Sequence, residues 1–210
     1  TAPQEGEERE AASGEARYPI REVSRLTGVN AVTLRAWQRR YGLVQPARTE
    51  KGHRLYSEQD IRHIEAILSW LERGVSIGQV KGLLGDNQSV APSDHWQQSQ
   101  ESVWQLLLAL KTRQLEQGLN DLIASYPFDL VRSQLLEPVL DRLMTMTDRP
   151  DADLLRHHWL DWLAHYFGRH LIGQGKGRPL TLASWGKVGP LDLLWHAYEL
   201  INQGYEVQLI

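Results

Sequence analysis

Apolar positions come in short, dense bursts between residues 18 and 84 and in longer periodic runs after residue 95. The two rhythms predict two different builds. Order is expected from Tyr18-Pro19-Ile20 onward. Ile20, Val23 and Leu26 repeat every three residues and stop at Gly28, which predicts one short helix. Asn30 is placed to cap a second helix over 30–41, with Val32, Ala36 and Trp37 turned inward and Arg35, Arg39 and Arg40 outward. Residues 43–56 lose the helical period. Leu43-Val44 and Arg54-Leu55-Tyr56 read as two short strands, with Thr49-Glu50-Lys51-Gly52 turning between them. Ser57 with Asp60 forms a capping-box pattern and opens a longer helix with an Ile61, Ile64, Ile67, Leu68, Leu71 stripe that ends at Gly74. Ser76 with Gln79 starts a last short helix through Ile77, Val80, Leu83 and Leu84. Two short helices, a hairpin and two further helices around one core describe a winged helix-turn-helix over 18–85.

Residues 86–94 are polar and contain Pro92, and read as a linker. Helical runs follow near 95–111, 112–125, 128–146 and 151–172, broken at Pro127 and at Thr147 to Pro150, so 95–172 is expected to be a four-helix bundle. Gly173, Gly175, Gly177 and Pro179 mark another joint. Beyond it Leu180–Trp185 reads as a strand, Pro190–Gln203 as a helix and Tyr205–Ile210 as a strand. Two strands make no stable sheet alone, so 173–210 is expected to be the truncated start of a larger βαβ domain. The fold class is mainly α.

Composition sharpens this picture through charge. The chain has 210 residues and a net charge of -3. Residues 1–17 carry two Arg against five Glu, without an apolar cluster, and are expected to be a disordered acidic tail. Residues 18–85 carry eleven Lys/Arg against six Asp/Glu, a net of +5, whereas 86–210 carry ten against fifteen, a net of -5. Positive charge is thus gathered on one module, the arrangement a polyanion-binding unit needs in an acidic chain. There is no cysteine, which removes disulfides and thiolate metal sites, and no apolar run approaches the roughly 18 residues of a membrane span, so the expected place is the cytoplasm without a membrane partner.

The chemistry of 30–56 is that of duplex recognition. A guanidinium at Arg35, Arg39 or Arg40 can pair with guanine O6/N7 or with phosphate, and Thr33 can reach a base edge or a phosphate. Arg48, Lys51, His53 and Arg54 cluster around Gly52, four donors for phosphate on a loop whose backbone can approach closely. The bland alternatives are a solvated basic face and a basic loop. Tyr41 and Tyr56 stand equally for hydroxyls donated to phosphate and for packing at the root of the wing. His157, Asp161 and His165 share one helix face, but three ligands spread over two turns of about 5.4 Å each suit pairing along the helix better than one metal ion. Trp96, Trp104, Trp159, Trp162, Trp185 and Trp195 are expected as core rather than a stacking platform, given the negative charge of their region. No nucleophile elbow, phosphate loop or His-Glu-x-x-His motif points to an enzyme. Gly173-Gln174-Gly175-Lys176-Gly177 precedes a strand rather than following one, so it is a joint.

The run IREVSRLTGVNAVTLRAWQRRYGLVQPARTEKGHRLYSEQDIRHI resembles the DNA-binding domain of MerR-family transcription regulators over about residues 18–85. The reading helix, the Pro-Ala-Arg start of the wing, its Gly-x-Arg-x-Tyr end and the Ser-x-x-Asp helix start occur in order. The Arg-Ala-Trp-x-Arg-Arg-Tyr-Gly variant is similar to the MlrA/CarH/LitR-like subgroup, in which a helical bundle and a Rossmann-like cobalamin-binding domain follow. The resemblance implies an Asp-x-His-x-x-Gly cobalt-ligating loop after the first strand. Here Ser184 and Gly186 stand in place of its Asp and His, so a cobalamin-derived domain without cobalamin is expected, with no other cofactor and no metal. The bundle's His157-His158 pair lacks the Glu found in the light sensors of that subgroup. The expected function is a homodimer, or higher oligomer, that binds double-stranded promoter DNA at a pseudo-palindromic site, with RNA polymerase as a further contact. The rivals are a cobalamin-dependent light or ligand sensor and a protein-interaction module without specific DNA binding.

Overall fold

The computed structural model describes residues 17–84, 94–172, 177–184 and 189–210. Most of the acidic tail, most of the 86–94 linker, the glycine joint at 173–176 and the loop at 185–188 with Trp185 and Gly186 lie outside the described residues. The chain divides into two compact units, one reaching to His95 and including Ala124–Pro127, the other holding Trp96–Ile123 and Phe128–Ile210.

In the first unit, strand β1 (Tyr18–Pro19) leads into helix α1 (Ile20–Thr27), and helix α2 (Ala31–Ala36) runs on into a π turn (Trp37–Tyr41). The wing is β2 (Ala47–Arg48) and β3 (Arg54–Tyr56), followed by α3 (Glu58–Glu72) and α4 (Ile77–Leu83). The sheet has the antiparallel order β1-β3-β2. The expected strand at Leu43-Val44 is not formed. Those side chains are buried instead, the backbone pairs only from Ala47, and Tyr18-Pro19 adds the third strand opposite Tyr56 and Leu55. The caps act where the sequence placed them. Asn30 accepts from the Thr33 amide at 2.8 Å, and Ser57 and Asp60 exchange side-chain-to-backbone bonds at 2.8 and 3.1 Å. Val23, Leu34, Trp37, Ile64, Ile67, Leu71 and Val80 are fully enclosed, and form one core in which the 3.6-residue faces of α1 to α4 meet.

The second unit contains α5 (His95–Leu108), α6 (Thr112–Ser125), α7 (Phe128–Val131), a π turn (Arg132–Leu136), α8 (Glu137–Met144) and α9 (Ala152–Gly168), close to the four expected stretches; His95 and the end of α6 pack in the first unit. The π turn has a covalent cause. Pro138 has no amide hydrogen to give the Gln134 carbonyl four residues back, and the Gln100 side chain supplies one instead at 2.6 Å. Trp96, Trp104, Trp159 and Trp195 are buried, as expected of core residues, and Trp162 is half-buried and stacks on Trp159 at 5.2 Å. The βαβ segment consists of β4 (Arg178–Leu182), α10 (Pro190–Asn202) and β5 (Tyr205–Leu209), with β4 and β5 parallel. Its first strand starts and ends earlier than the apolar pattern suggested. Among the described residues, no helix is long and apolar enough to cross a membrane.

Candidate nucleic-acid interface

The reading helix is held from below. Leu34 and Trp37 are fully enclosed, and the wider π turn carries the chain from Trp37 inside to Arg39 and Arg40, both exposed. Gly42, at a φ of 61°, ends the turn in a conformation that ordinary side chains avoid. The amides of Gly42 and Leu43 both close on the Trp37 carbonyl. His63 donates its Nε2 hydrogen to the Leu43 carbonyl at 2.8 Å and anchors the exit from the helix.

The wing turn is closed by the Gly52 amide on the Thr49 carbonyl (2.8 Å), and by the Thr49 amide on the His53 carbonyl (2.9 Å), with Gly52 at a φ of 78°. Arg48, Lys51 and His53 are exposed along it. In the β2–β3 register Arg48 lies directly opposite Arg54, a like-charge pair that destabilises an isolated hairpin. Arg54 also donates from Nε to the Gln38 side chain at 2.6 Å, which joins the wing to the reading helix. Among the described residues, no carboxylate pairs with Arg35, Arg39, Arg40, Arg48, Lys51 or Arg54, whereas Arg25 and Arg62 in the same unit pair with Glu22 and Glu58.

Two expected contact residues belong to the interior, and a third, Tyr41, is half-buried with its hydroxyl engaged. Thr33 has no exposed surface; the Asn30 cap fixes its amide, and its hydroxyl is enclosed. Val32, expected inward, is 62% exposed in its place. The inward face is shifted by one residue because Thr33, Leu34, Ala36 and Trp37 make the buried set. Tyr56 is also fully buried, paired across the sheet with Tyr18, and burial raises its hydroxyl above the usual phenol range. The hydroxyl of Tyr41 shares a hydrogen bond with the Ser125 hydroxyl at 3.2 Å, and so is engaged within its own unit.

Ser125 and Tyr126 escaped sequence reasoning altogether. The Trp37 indole donates to the Ser125 carbonyl at 2.8 Å, the Ile77 amide donates to the Tyr126 hydroxyl at 3.0 Å, and the Tyr126 ring stacks on His95 at 5.4 Å. Two residues at the end of α6 and just past it thus complete the support of the π turn and of the start of α4. No local signal marks them, since Ser-Tyr-Pro at a helix end reads as an ordinary joint.

Helix α9 is rich in histidine, but His157 and His165 each donate Nδ1 hydrogens to the carbonyls four residues earlier, at 2.7 and 2.8 Å. Among the described residues, no group of three His, Asp or Glu side chains is arranged to hold a metal ion.

Residues 18–86 match the profile of the "MerR HTH family regulatory protein" family. The HTH-type transcriptional regulator MlrA of Escherichia coli is 39% identical over 197 residues, covering 93% of this chain and 80% of that protein. The chain belongs to the MerR family. The repressor CarH of Myxococcus xanthus is 29% identical over 147 residues, 61% of this chain and 48% of its own. The mercuric resistance operon regulatory protein of Bacillus cereus is 35% identical over 69 residues, 33% of this chain and 52% of its own, a stretch as long as the winged module alone. This MerR-family chain is therefore a DNA-binding transcription regulator and not an enzyme, and its likeness to MlrA runs far past the winged module.

Proposed function

We propose that this regulator binds double-stranded promoter DNA as a homodimer, each subunit laying α2 and its π turn in a major groove and setting the wing on flanking phosphates. The carrying observation is a set of cations on one reading helix and one wing with no carboxylate partner among the described residues, Arg48 opposite Arg54 among them. Like charges held face to face are a standing cost to the hairpin, and a phosphate between or beside them converts that cost into attraction. Two subunits related by a dyad require a pseudo-palindromic site, and the cytoplasm is where such a protein meets it.

The same reading leaves cobalamin out. The loop after β4 offers an exposed Ser184 hydroxyl and, at Gly186, no side chain, so it supplies no imidazole for cobalt. Selection of bound duplexes from a random pool at physiological salt tests the proposal. Two inverted half-sites about one helical turn apart, or a multiple of it, are expected. Enrichment of a single unrepeated half-site refutes the dimer, and no enrichment at all refutes sequence-specific binding.

A further inference from the structure

We propose that Val32 reads the 5-methyl group of a thymine in the major groove, next to the bases or phosphates met by Arg35 and Arg39. The proposal rests on the groove-binding reading above and assigns part of its specificity to an apolar contact. Val32 is 62% exposed while its neighbours Thr33 and Leu34 are fully enclosed. Arg35 and Arg39 follow it at three and seven residues, so all three lie along one face of the helix. Isolated exposed valines are common on proteins, but this one stands on the face that carries arginines without a carboxylate partner among the described residues.

A β-branched side chain brings this six-residue helix no local advantage, since valine is a weaker helix former than alanine. What it does provide is a pair of methyl groups held in a nearly fixed rotamer, at a site whose backbone is pinned by the Asn30 cap at 2.8 Å. In the major groove only thymine displays a methyl group, and small apolar side chains are the ones that pack on it.

The test uses the full chain and a duplex enriched from the random pool. Each thymine is replaced singly by uracil, which keeps every hydrogen-bonding group and removes only the methyl. One thymine per half-site is expected to lose about threefold to fivefold in affinity, as the burial of a single methyl group would give. In Val32→Ala that difference is expected to vanish, with unchanged thermal stability and unchanged binding to random duplex. If no thymine is sensitive, or if the sensitivity survives Val32→Ala, the proposal is wrong while groove binding stands. If no duplex is enriched, groove binding falls and Val32 with it.

Discussion

Arginine is used in opposite ways in the helical unit and on the reading helix and wing. In the helical unit Arg142 meets Glu101 at 2.8 Å and lies 4.1 Å over the Trp104 ring. Arg132 sits between Glu137 and Glu199 at 3.4 and 3.5 Å, and Arg156 ties Asp153 to the carbonyls of Leu143 and Met146. In the winged unit Arg39, Arg40 and Lys51 stand exposed with no carboxylate beside them among the described residues. The same side chain is an internal tie in one place and an open electrostatic site in the other. Net charges of opposite sign for the two regions hint at this, but only the partners show it.

Exchanging the two uses in a matched pair of variants is the strongest way to break the comparison. Arg39→Ala is expected to lower operator affinity about tenfold to a hundredfold, since a bidentate base contact is worth about 1–3 kcal/mol, with little change in Tm. Arg142→Ala is expected to leave operator binding alone and to lower Tm by a few degrees, because its ion pair is half-exposed and screened by solvent and its ring contact is a weak one. Mobility-shift titration and thermal melts of both variants check the pair. An Arg39→Ala protein that melts early yet binds normally inverts the assignment.

Tyr126 sharpens the boundary between the units. Its hydroxyl accepts the Ile77 amide hydrogen in a buried site, so Tyr126→Phe leaves that donor unsatisfied at a cost of about 1–3 kcal/mol. Faster hydrogen exchange at the Ile77 amide and a lower melting temperature are expected. If exchange there is unaltered, the Ala124–Pro127 segment does not support the winged unit.

What the sequence disclosed tracks the range of the forces involved. Caps at Asn30, Ser57 and Ser76, the helix stops and the four long helical runs are set by neighbours within four residues, and all were legible. Among the expected contact residues, Arg39, Arg40, Arg48, Lys51 and His53 were found on the surface, because charge rarely buries unpaired. Thr33 was misplaced, since a short helix gives too few turns to fix which residues face inward, and for Tyr56 the packing alternative holds because a third strand from Tyr18-Pro19 covers it from far along the chain. Ser125 and Tyr126 were invisible for the same reason: their partners lie 88 and 49 residues away.

Glu199 tests whether every arginine contact in the helical unit is a tie. Burial and the nearby Asp129 raise its carboxyl to about 7, against the pull of Arg132 and His196. The native state therefore holds a proton that the unfolded chain gives up near pH 4.5, the ordinary value for a glutamate carboxyl. The stability this confers is present in full below that pH and is lost as pH rises through about 7. Glu199→Gln removes the loss and keeps an oxygen for Arg132. Its Tm is expected to exceed that of the parent at pH 8 by a few degrees and to match it at pH 4. A lower Tm at pH 8 would make the ionised pair with Arg132 the stronger effect.

The smallest expected effect separates phosphate from base contacts within the open set of cations. Lys51 projects from the wing turn beside Gly52, where the backbone rather than a groove sets its position, so its contact is expected to be Coulombic and blind to sequence. Lys51→Ala should weaken binding only a few-fold and equally for operator and random duplex, and the slope of log affinity against log salt should become shallower by about 0.9, one phosphate's worth of released counterions. Arg39→Ala should differ in kind, since losing a base contact erodes the ratio between operator and random duplex. If Lys51→Ala changes that ratio and leaves the slope alone, the wing reads bases, and the open cations are one recognition surface rather than a reader and a clamp.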